Sequence, residues 1–499
     1  MDRASHIVII GAGMGGLSTA LSLAKEGFTN IEVFETASNL GFVGAGIQLA
    51  PNMARILDRL GCWKEIESEA VDLKETSIRR KLSYFLTFRH FLRIMFKIHL
   101  ILPTISYKNM LLIKKQRAIQ IKSLLTWIFC TSEKPINTPY GWSPIQSCCS
   151  MYEACKKESG IKFHFSVAAE AVESFGPKPV LKVKPRQGES YTVKADVILA
   201  SDGIKSIVRS KILSELNHDA HITDTNQAAY RIMLKREDME NDPELLELIN
   251  GDKVTRWIGE KRHIIAYPVS SKQIYNLSTV QPDTNFAAAP SATYTTKGDK
   301  SAMLDIFSDF CPKVQRMLNL VPDGEVCEWK LRVHSPLPTW VRGSIALVGD
   351  ACHPTLPHLA QGAAQAIEDA AVLGAVFSKC PSNSPSDINK SLLIYESVRK
   401  ERAETLVELA AQSGRALHLG DGAAKAERDK QFAALKQKGG AVPDKWADAD
   451  VQKKIYGFDC YQVALDKFDD LFAQVEEGKF VGLEQPVNSS GENGNAANI

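Results

Sequence analysis

The hydrophobic positions near the start of the chain form a strand pattern, then a helix pattern, then a second strand pattern. A nearly continuous β-branched run at 6–10 predicts a strand that is buried on both faces. Apolar residues at helical spacing follow from Leu17 to Ala24, and Gly27 ends that helix. A second β-branched run at 31–35 predicts the next strand. Together these segments predict a β-α-β unit with a glycine-rich turn at its first crossing.

Later segments predict an antiparallel sheet inserted between parts of a nucleotide-binding domain. Short alternating segments in the middle of the chain predict that sheet, at 230–234, 255–259, 263–268 and 273–279. Other apolar runs predict further strands, at 163–167, 181–185, 191–193, 197–200 and 344–348. Long helical patterns occupy 362–378 and 388–415. Such an inserted sheet is typical of a substrate domain.

Charge is distributed unevenly along the chain. The 499 residues carry 60 Lys and Arg against 58 Asp and Glu, a net charge of +2, which excludes a globally basic nucleic-acid binder. Eleven of these basic residues and no acidic ones lie at 76–132, so the rest carries 49 basic and 58 acidic residues, a net charge of −9. We interpret this glycine-free block as translated non-coding sequence, such as an unspliced intron. A genuine family insertion and a basic amphipathic element on a membrane surface are the alternatives.

The cysteines indicate a compartment rather than a disulfide framework. The ten cysteines form no C-x-x-C pair and no zinc spacing. Because no secretory signal is recognisable at the start, they predict free thiols in a reducing, cytoplasmic environment.

The first chemical motif lies at the predicted glycine turn. Gly11, Gly13 and Gly16 form G-x-G-x-x-G, and Glu35 closes the second predicted strand. The first glycine permits the tight turn, the second lets the backbone approach a pyrophosphate, and the third lets helix and strand pack closely. Glu35 is placed to accept hydrogen bonds from ribose hydroxyls. The motif predicts a dinucleotide site but does not distinguish NAD from FAD.

A second motif follows the strand predicted at 197–200. That strand ends in Asp202-Gly203, and Ser206 and Arg209 begin a basic helical turn. A carboxylate and free backbone there can contact a dinucleotide and a visiting nicotinamide. An ordinary strand-to-helix turn is the alternative.

A third motif predicts which dinucleotide is bound. The strand at 344–348 ends in Gly349-Asp350, and a loop leads to a long helix that opens at Gly362-Ala363. Asp350 is placed to hydrogen-bond a ribityl chain. The positive end of the helix would face an isoalloxazine ring and favour its anionic reduced form. Nicotinamide cofactors have no ribityl chain, so the combination predicts FAD.

These motifs together resemble the class A flavoprotein monooxygenases, the para-hydroxybenzoate hydroxylase-like group, and within it the fungal and bacterial salicylate hydroxylase-like enzymes. Three further segments match the same subgroup: 229–231, 263–268 and 44–52, the last of which includes Gly46. The resemblance implies an α/β fold: a Rossmann-like FAD-binding domain with an inserted antiparallel β-sheet substrate domain and C-terminal helices. The family's His-Arg-x-x-Leu segment, whose arginine contacts FAD, has no counterpart, because 146–154 contain no arginine.

The predicted domain organisation follows from these motifs. We expect FAD-binding segments at 1–75, 133–218 and 336–380, an anomalous insertion at 76–132, a substrate domain at 219–335, a C-terminal helical region at 381–485 and a disordered tail at 486–499.

The resemblance implies an activity. NADH or NADPH, as a transient co-substrate, would reduce FAD. Oxygen would then add to the flavin at C4a, and the hydroperoxide would hydroxylate a phenolic or other small aromatic molecule, with or without loss of a carboxylate as CO₂. Such a reaction would serve aromatic catabolism or secondary-metabolite (polyketide) biosynthesis. An epoxidase acting on an alkene or terpenoid, and an inactive FAD-binding chain, are the alternatives.

Two residues of the predicted sheet are candidates for contact with the substrate. Arg231 could pair with a carboxylate or phenolate, and Tyr267, on a neighbouring strand, could hydrogen-bond the substrate. A sheet-edge arginine and a packed aromatic are the structural alternatives. His353 and His358 lie beside Cys352, but that loop lacks the remaining ligands of a metal site, so we expect no metal there.

Overall fold

A computed structural model describes residues 1–40, 47–80, 140–142, 144–219, 222–288, 295–435, 443–444 and 448–478. Its strands are β1 (Ile7–Ile10), β2 (Ile31–Glu35), β3 (Ile47–Leu49), β4 (Val71–Asp72), β5 (Glu75–Arg80), β6 (Tyr140–Trp142), β7 (Ile161–Phe165), β8 (Val167–Ser174), β9 (Val180–Pro185), β10 (Tyr191–Lys194), β11 (Val197–Ala200), β12 (Thr223–Lys235), β13 (Lys253–Gly259), β14 (Arg262–Val269), β15 (Ile274–Pro282), β16 (Thr295–Lys297), β17 (Cys327–Val333), β18 (Val341–Arg342) and β19 (Ile345–Leu347). Its helices are α1 (Met14–Lys25), α2 (Pro51–Arg59), α3 (Trp63–Glu69), α4 (Pro144–Lys156), α5 (Ile207–Glu215), α6 (Arg236–Met239), α7 (Pro243–Asn250), α8 (Asn285–Ala288), α9 (Lys300–Ile306), α10 (Pro312–Asn319), α11 (Gly362–Lys379), α12 (Pro385–Leu417), α13 (Ala423–Leu435), α14 (Ala449–Tyr456) and α15 (Cys460–Glu476), with a 3₁₀ turn at Gly349–Ala351.

The nucleotide-binding part is built on a six-stranded sheet of order β18-β19-β11-β1-β2-β7. β1 pairs in parallel with β2 and β11, so that Ile7 lies opposite Ile31 and Val197. β18 alone among these strands runs antiparallel to its neighbour. Every residue of β1 and β11 is buried, as expected for strands covered on both faces. The glycine turn after β1 therefore lies at the carboxyl edge of the sheet, where ligands of such folds bind.

A seven-stranded sheet of order β16-β17-β12-β15-β14-β13-β5 carries the second core. Its neighbouring strands are antiparallel, except that β13 and β5 run parallel. The predicted α/β class with an added antiparallel sheet is confirmed. Two smaller sheets, β10-β9-β8 and β3-β6-β4, complete the sheet structure of the described residues.

The strand β5 extends the seven-stranded sheet into the stretch interpreted as an insertion. Glu75 to Arg80 pair with Lys253 to Ile258 in the edge position. Thr76–Arg80 thus belong to this sheet by their hydrogen bonding, although the insertion is predicted to begin at 76. The remainder, 81–132, lies outside the described residues, as does the predicted tail at 486–499. The segment boundaries themselves stay predictions.

The strand predicted at 163–167 was misplaced. The structure has two strands there, Ile161–Phe165 and Val167–Ser174, which belong to different sheets. Ser166 between them adopts a left-handed conformation with φ of 59°, which ends the first strand. A serine gives no strong signal for that conformation, so the apolar run on both sides was interpreted as continuous.

The long helix α12 places a buried carboxyl against the loop before β18. Glu396, 5 % exposed, accepts a hydrogen bond from the Thr339 hydroxyl at 2.7 Å. Burial raises the pKa of Glu396 to about 6, although the Thr339 bond opposes the shift. A carboxyl with a raised pKa in the folded state stabilises the fold below its unfolded pKa of roughly 4.3, and loses that contribution as pH rises through about 6.

Replacing Glu396 with glutamine tests this linkage. Glutamine keeps an oxygen for Thr339 but does not ionise, so we expect Glu396→Gln to raise the free energy of unfolding at pH 7 by up to about 2 kcal/mol. At pH 4 the variant and the wild type should be equally stable. Denaturant unfolding at the two pH values measures the difference, and equal stability at pH 7 would contradict a raised pKa.

Two further findings concern the cysteines and whether a helix could cross a membrane. The seven cysteines whose side chains are described are free, as predicted: Cys62, Cys155, Cys311, Cys327, Cys352, Cys380 and Cys460. Among the described residues, no helix combines the length and apolar character needed to cross a membrane.

Candidate functional site

A cavity of about 560 Å³ lies where the carboxyl edge of the six-stranded sheet meets the face of the seven-stranded sheet. It brings together residues from all the predicted motifs and from both candidate substrate positions: Gly13, Gly203, Arg231, Tyr267, Gly349, Asp350, Gly362 and Ala363. Four of the predicted site residues do not line it: Gly11, Gly16, Glu35 and Asp202. Gly46 lies outside the described residues.

The three glycines of the first turn have different spatial roles. Gly11 has φ of +90°, and a Cβ there would lie 2.4 Å from the carbonyl oxygen of Ser201. A Cβ on Gly16 would lie 1.9 Å from the carbonyl oxygen of Gly11. A Cβ on Gly13, in contrast, would meet no atom of the described residues within 4 Å and would project into open space beside the cavity. Gly11 and Gly16 are therefore required by the turn itself, whereas Gly13 leaves room for a ligand.

Glu35 holds this turn in place. One carboxylate oxygen accepts a hydrogen bond from the Ala12 backbone N–H at 2.8 Å, and the other accepts one from Ala37 at the same distance. Each oxygen retains a lone pair for a further donor, such as a ribose hydroxyl.

Two helix N-termini open onto the cavity. α1 starts at Met14 after Gly13, and α11 starts at Gly362 after Gln361. Neither helix has a side-chain cap or an acidic residue in its first turn, so its first N–H groups keep their partial positive charge. Such ends stabilise anionic groups of a ligand, such as a pyrophosphate or a reduced ring system.

Asp350 lines the same cavity as these two helix ends. Its side chain is exposed toward the cavity, while the surrounding protein raises the pKa of its carboxyl by desolvation. The positive charges of Arg231 and Arg209 and the nearby His353 oppose that rise. Arg209 also ties the second motif to the third, because its guanidinium donates to the carbonyls of Ile204 and Ala351 at 2.6 and 3.0 Å.

Asp202 faces its own helix rather than the cavity. One oxygen accepts a hydrogen bond from the Ile207 N–H at 2.9 Å at the start of α5, and desolvation raises the pKa of the carboxyl. The neighbouring Gly203 lines the cavity with its backbone.

A buried ion-pair network under the third motif was not predicted. Asp369 accepts hydrogen bonds from the Gly349 N–H at 2.9 Å, from His353 at 2.6 Å and from Arg399 at 2.8 Å. Arg399 also pairs with Glu368 at 2.5 Å, and all three charged side chains are fully buried. The network fixes the Gly349 turn to α11 and α12. The signal in the sequence is an acidic pair inside the otherwise apolar 362–378 pattern.

The substrate-side wall is a lateral row of side chains on the seven-stranded sheet. Arg231 on β12 lies opposite Ser278 on β15, which lies opposite Ile265 on β14, and all three line the cavity. Tyr267 lies two residues beyond Ile265 on the same face. The Arg231 guanidinium lies 5.5 Å from the ring centre of Trp329, a cavity residue that the sequence analysis missed.

Arg231 is a half-buried cation for which the described residues supply no hydrogen-bonded counter-ion. Desolvation lowers the pKa of its guanidinium, and the nearby Tyr267, Cys327 and Asp350 oppose that shift. The Nε atom is buried and has no hydrogen-bond partner among the described residues. Because an arginine stays charged in proteins, this wall presents a positive charge to whatever fills the cavity.

Gln48 also faces the cavity and was not singled out. Its side chain is 4 % exposed, and neither its amide nitrogen nor its amide oxygen has a hydrogen-bond partner among the described residues. A buried unpaired amide is costly, so such a group calls for a polar ligand. Together with the space beside Gly13 and the two uncapped helices, Gln48 shows that the described residues fit a large polar cofactor.

Comparison with known proteins agrees with this geometry. The chain matches the family of the FAD binding domain over residues 4–410. FAD-dependent monooxygenase ntnJ of a Nectria species is 30 % identical over 426 residues, which cover 85 % of this chain and 88 % of the relative. A 3-hydroxybenzoate 6-hydroxylase of Klebsiella oxytoca is 26 % identical over 420 residues, 84 % of this chain and 90 % of that enzyme.

Solved structures share the fold. A salicylate hydroxylase substrate complex superposes with a TM-score of 0.67 at 21 % identity, and covers 94 % of this chain and 98 % of that one. CtdE in complex with FAD and a substrate gives a TM-score of 0.70 at 17 % identity over 95 % of this chain and all of that one.

Proposed function

This chain belongs to the FAD-binding-domain family and is an FAD-dependent monooxygenase of the aromatic hydroxylase type, and from this premise we propose that it hydroxylates an anionic phenolic or other aromatic small molecule with NADH or NADPH and O₂. The observation that carries the proposal is the position of Arg231, whose half-buried positive charge lines the same cavity as Asp350 and the start of α11. Loss of a substrate carboxylate as CO₂ is compatible with this arrangement.

The cofactor would be held by both distant stretches of chain. Gly13 and the N-terminus of α1 would bind the pyrophosphate, Glu35 the adenosine ribose, and Asp350 the ribityl chain. The N-terminus of α11 and Gln48 would face the ring system. When bound, FAD supplies the redox chemistry with the nicotinamide and with oxygen.

The protein's own contribution is to bind, orient and shield the substrate. Arg231 would pair with a carboxylate or phenolate, and the Trp329 ring beside it would pack on the aromatic ring. Tyr267 would donate a hydrogen bond, because burial raises the pKa of its hydroxyl and keeps it protonated. Ile265 would help to exclude water. The hydroxybenzoate and hydroxynicotinate named for relatives carry the kind of anionic aromatic group that such a wall would accept.

Replacing Arg231 with methionine tests the substrate contact. We expect kcat/KM for a salicylate-type phenol to fall about 10- to 100-fold, since a hydrogen bond to a charged group contributes roughly 1.5–3 kcal/mol. FAD content should stay as in the wild type. The rate of substrate-stimulated NAD(P)H oxidation measures the effect.

Arg332→Met is the matched control. Arg332 lies on the next strand of the same sheet and pairs with Asp224 at 2.7 Å, outside the cavity. An equal loss in both variants would argue against a contact of Arg231 with the substrate. Stimulation by terpenoid alkenes, but not by phenols, would replace the proposed activity with epoxidation.

A further inference from the structure

Three histidines from distant parts of the chain meet beside the substrate-side wall. His263 begins the β14 face that continues with Ile265 and Tyr267, His358 lies in the loop before α11, and His418 caps the end of α12. Their ring centres are 4.9 to 5.5 Å apart, and one ring nitrogen of each lies within 4.8 Å of the others. The loop of His358 alone lacks the ligands of a metal site, but His263 and His418 add two from other elements. We propose that this histidine cluster binds one Zn²⁺ ion.

The spacing of the ring nitrogens suits a tetrahedral zinc ion. Histidine nitrogens lie about 2.0–2.1 Å from Zn²⁺, which places two such ligands about 3.4 Å apart. Nδ1 of His263 and Nε2 of His418 lie 2.6 Å apart and share a hydrogen bond, and the widest separation among the three ligand nitrogens is within 4.8 Å. Zinc binding would replace that hydrogen bond and move these two nitrogens slightly apart.

An unpaired nitrogen indicates that the cluster is incomplete without a ligand. His263 and His358 are each 1 % exposed, and Nδ1 of His358 has no hydrogen-bond partner among the described residues. A ring nitrogen that carries no proton is the atom through which histidine binds a metal.

The backbone makes room for this arrangement. Gly414 lies one helical turn before His418 on α12, and a Cβ there would lie 2.6 Å from Nε2 of His358. A glycine inside a helix costs about 1 kcal/mol relative to alanine. The absence of a side chain at Gly414 lets the His358 ring contact the surface of α12 beside His418.

The charges around the cluster are balanced. Arg256, on the strand next to His263, pairs with the buried Asp444 at 3.0 Å. Arg428, which faces His418, pairs with Asp429 at 2.8 Å. Both of these arginines are thus paired with a carboxylate. Three imidazoles with an open fourth position, filled by water, are a common zinc-ligand set, and His418 is partly exposed and provides access.

Zinc binding to the FAD-loaded, full-length chain tests the proposal. After treatment with a chelator, the protein is titrated with Zn²⁺ in competition with a chromophoric chelator, and Co²⁺ replaces Zn²⁺ to report the ligand geometry by its visible absorption. We expect one Zn²⁺ per chain, a tetrahedral Co²⁺ spectrum and a rise of several degrees in Tm on addition of Zn²⁺.

Two variants locate the site. His418→Gln removes the most accessible ligand and should weaken Zn²⁺ binding at least about tenfold and abolish the rise in Tm, with FAD content unchanged. His164→Gln is the control, because His164 lies on β7 in the six-stranded sheet, pairs with Glu32 at 2.7 Å and does not belong to the cluster. The proposal is overturned if the wild type binds no more Zn²⁺ than His418→Gln, or if His164→Gln loses the ion instead.

Discussion

Replacing Arg399 with methionine should lower the free energy of unfolding by about 3–5 kcal/mol, the usual effect of removing one partner from a buried ion pair. Arg399 is fully buried between Glu368 at 2.5 Å and Asp369 at 2.8 Å. Methionine would leave two buried carboxylates without their common cation. Urea unfolding of the FAD-loaded protein measures the loss.

The loss of stability caused by Arg399→Met should be larger at neutral pH than at acidic pH. Burial alone raises the pKa of Glu368 and Asp369, but the positive charge of Arg399, together with His353 beside Asp369, outweighs burial and holds both values below normal. Carboxyls with lowered pKa values stabilise the fold above their unfolded pKa of roughly 4, and lose that contribution as pH falls. The difference in the free energy of unfolding between the wild type and Arg399→Met should therefore become smaller at acidic pH.

Arg402→Met provides the comparison. Arg402 contacts the same Glu368 at 2.8 Å, but its side chain is 13 % exposed, and Glu368 would keep Arg399. We expect a smaller loss, about 1–2 kcal/mol. Equal losses in the two variants, or an Arg399→Met protein within about 0.5 kcal/mol of wild type, would contradict the assigned role of the network.

Gly13→Ala should weaken FAD binding about 100-fold while leaving the fold intact. The new methyl group would meet no atom within 4 Å in the part of the chain that the structure describes, but it would occupy the space assigned to the pyrophosphate. A loss of about 3 kcal/mol, equivalent to one or two hydrogen bonds to a charged group, gives this factor. Fluorescence titration of FAD into the apoprotein measures the affinity.

Gly16→Ala should differ from Gly13→Ala in its effect on stability, although the two glycines are only three residues apart. Its Cβ would lie 1.9 Å from the Gly11 carbonyl oxygen, so the turn itself must move. We expect this variant to lose thermal stability and FAD binding together. If Gly13→Ala binds FAD as tightly as wild type, the pyrophosphate does not lie beside Gly13.

Local motifs could be predicted from the sequence, because their chemistry depends on near neighbours. The glycine turn, Glu35 and the Gly349-Asp350 turn each follow a buried strand, and the strand pattern alone places them at one sheet edge. The lateral row containing Arg231 and Ile265 required the register of three strands, which the alternating pattern does not give.

Long-range contacts could not be predicted for a physical reason. Arg399 lies thirty residues from its partner Asp369, and nothing in the helical pattern around it indicates burial of a charge. His263, His358 and His418 come from a strand, a loop and a helix end, so no spacing in the sequence relates them. Strand β5 has few apolar residues, and only its pairing with β13 reveals it.

The central claim is that two distant stretches of chain bind one FAD, and the flavin-to-protein ratio after gel filtration tests it most directly. The full-length chain, incubated with excess FAD, should retain one flavin per chain, whereas Gly13→Ala and Asp350→Ala should each lose most of it at unchanged far-UV circular dichroism. A wild-type chain that stays colourless, or an Asp350→Ala chain that retains a full equivalent of flavin, would contradict the account.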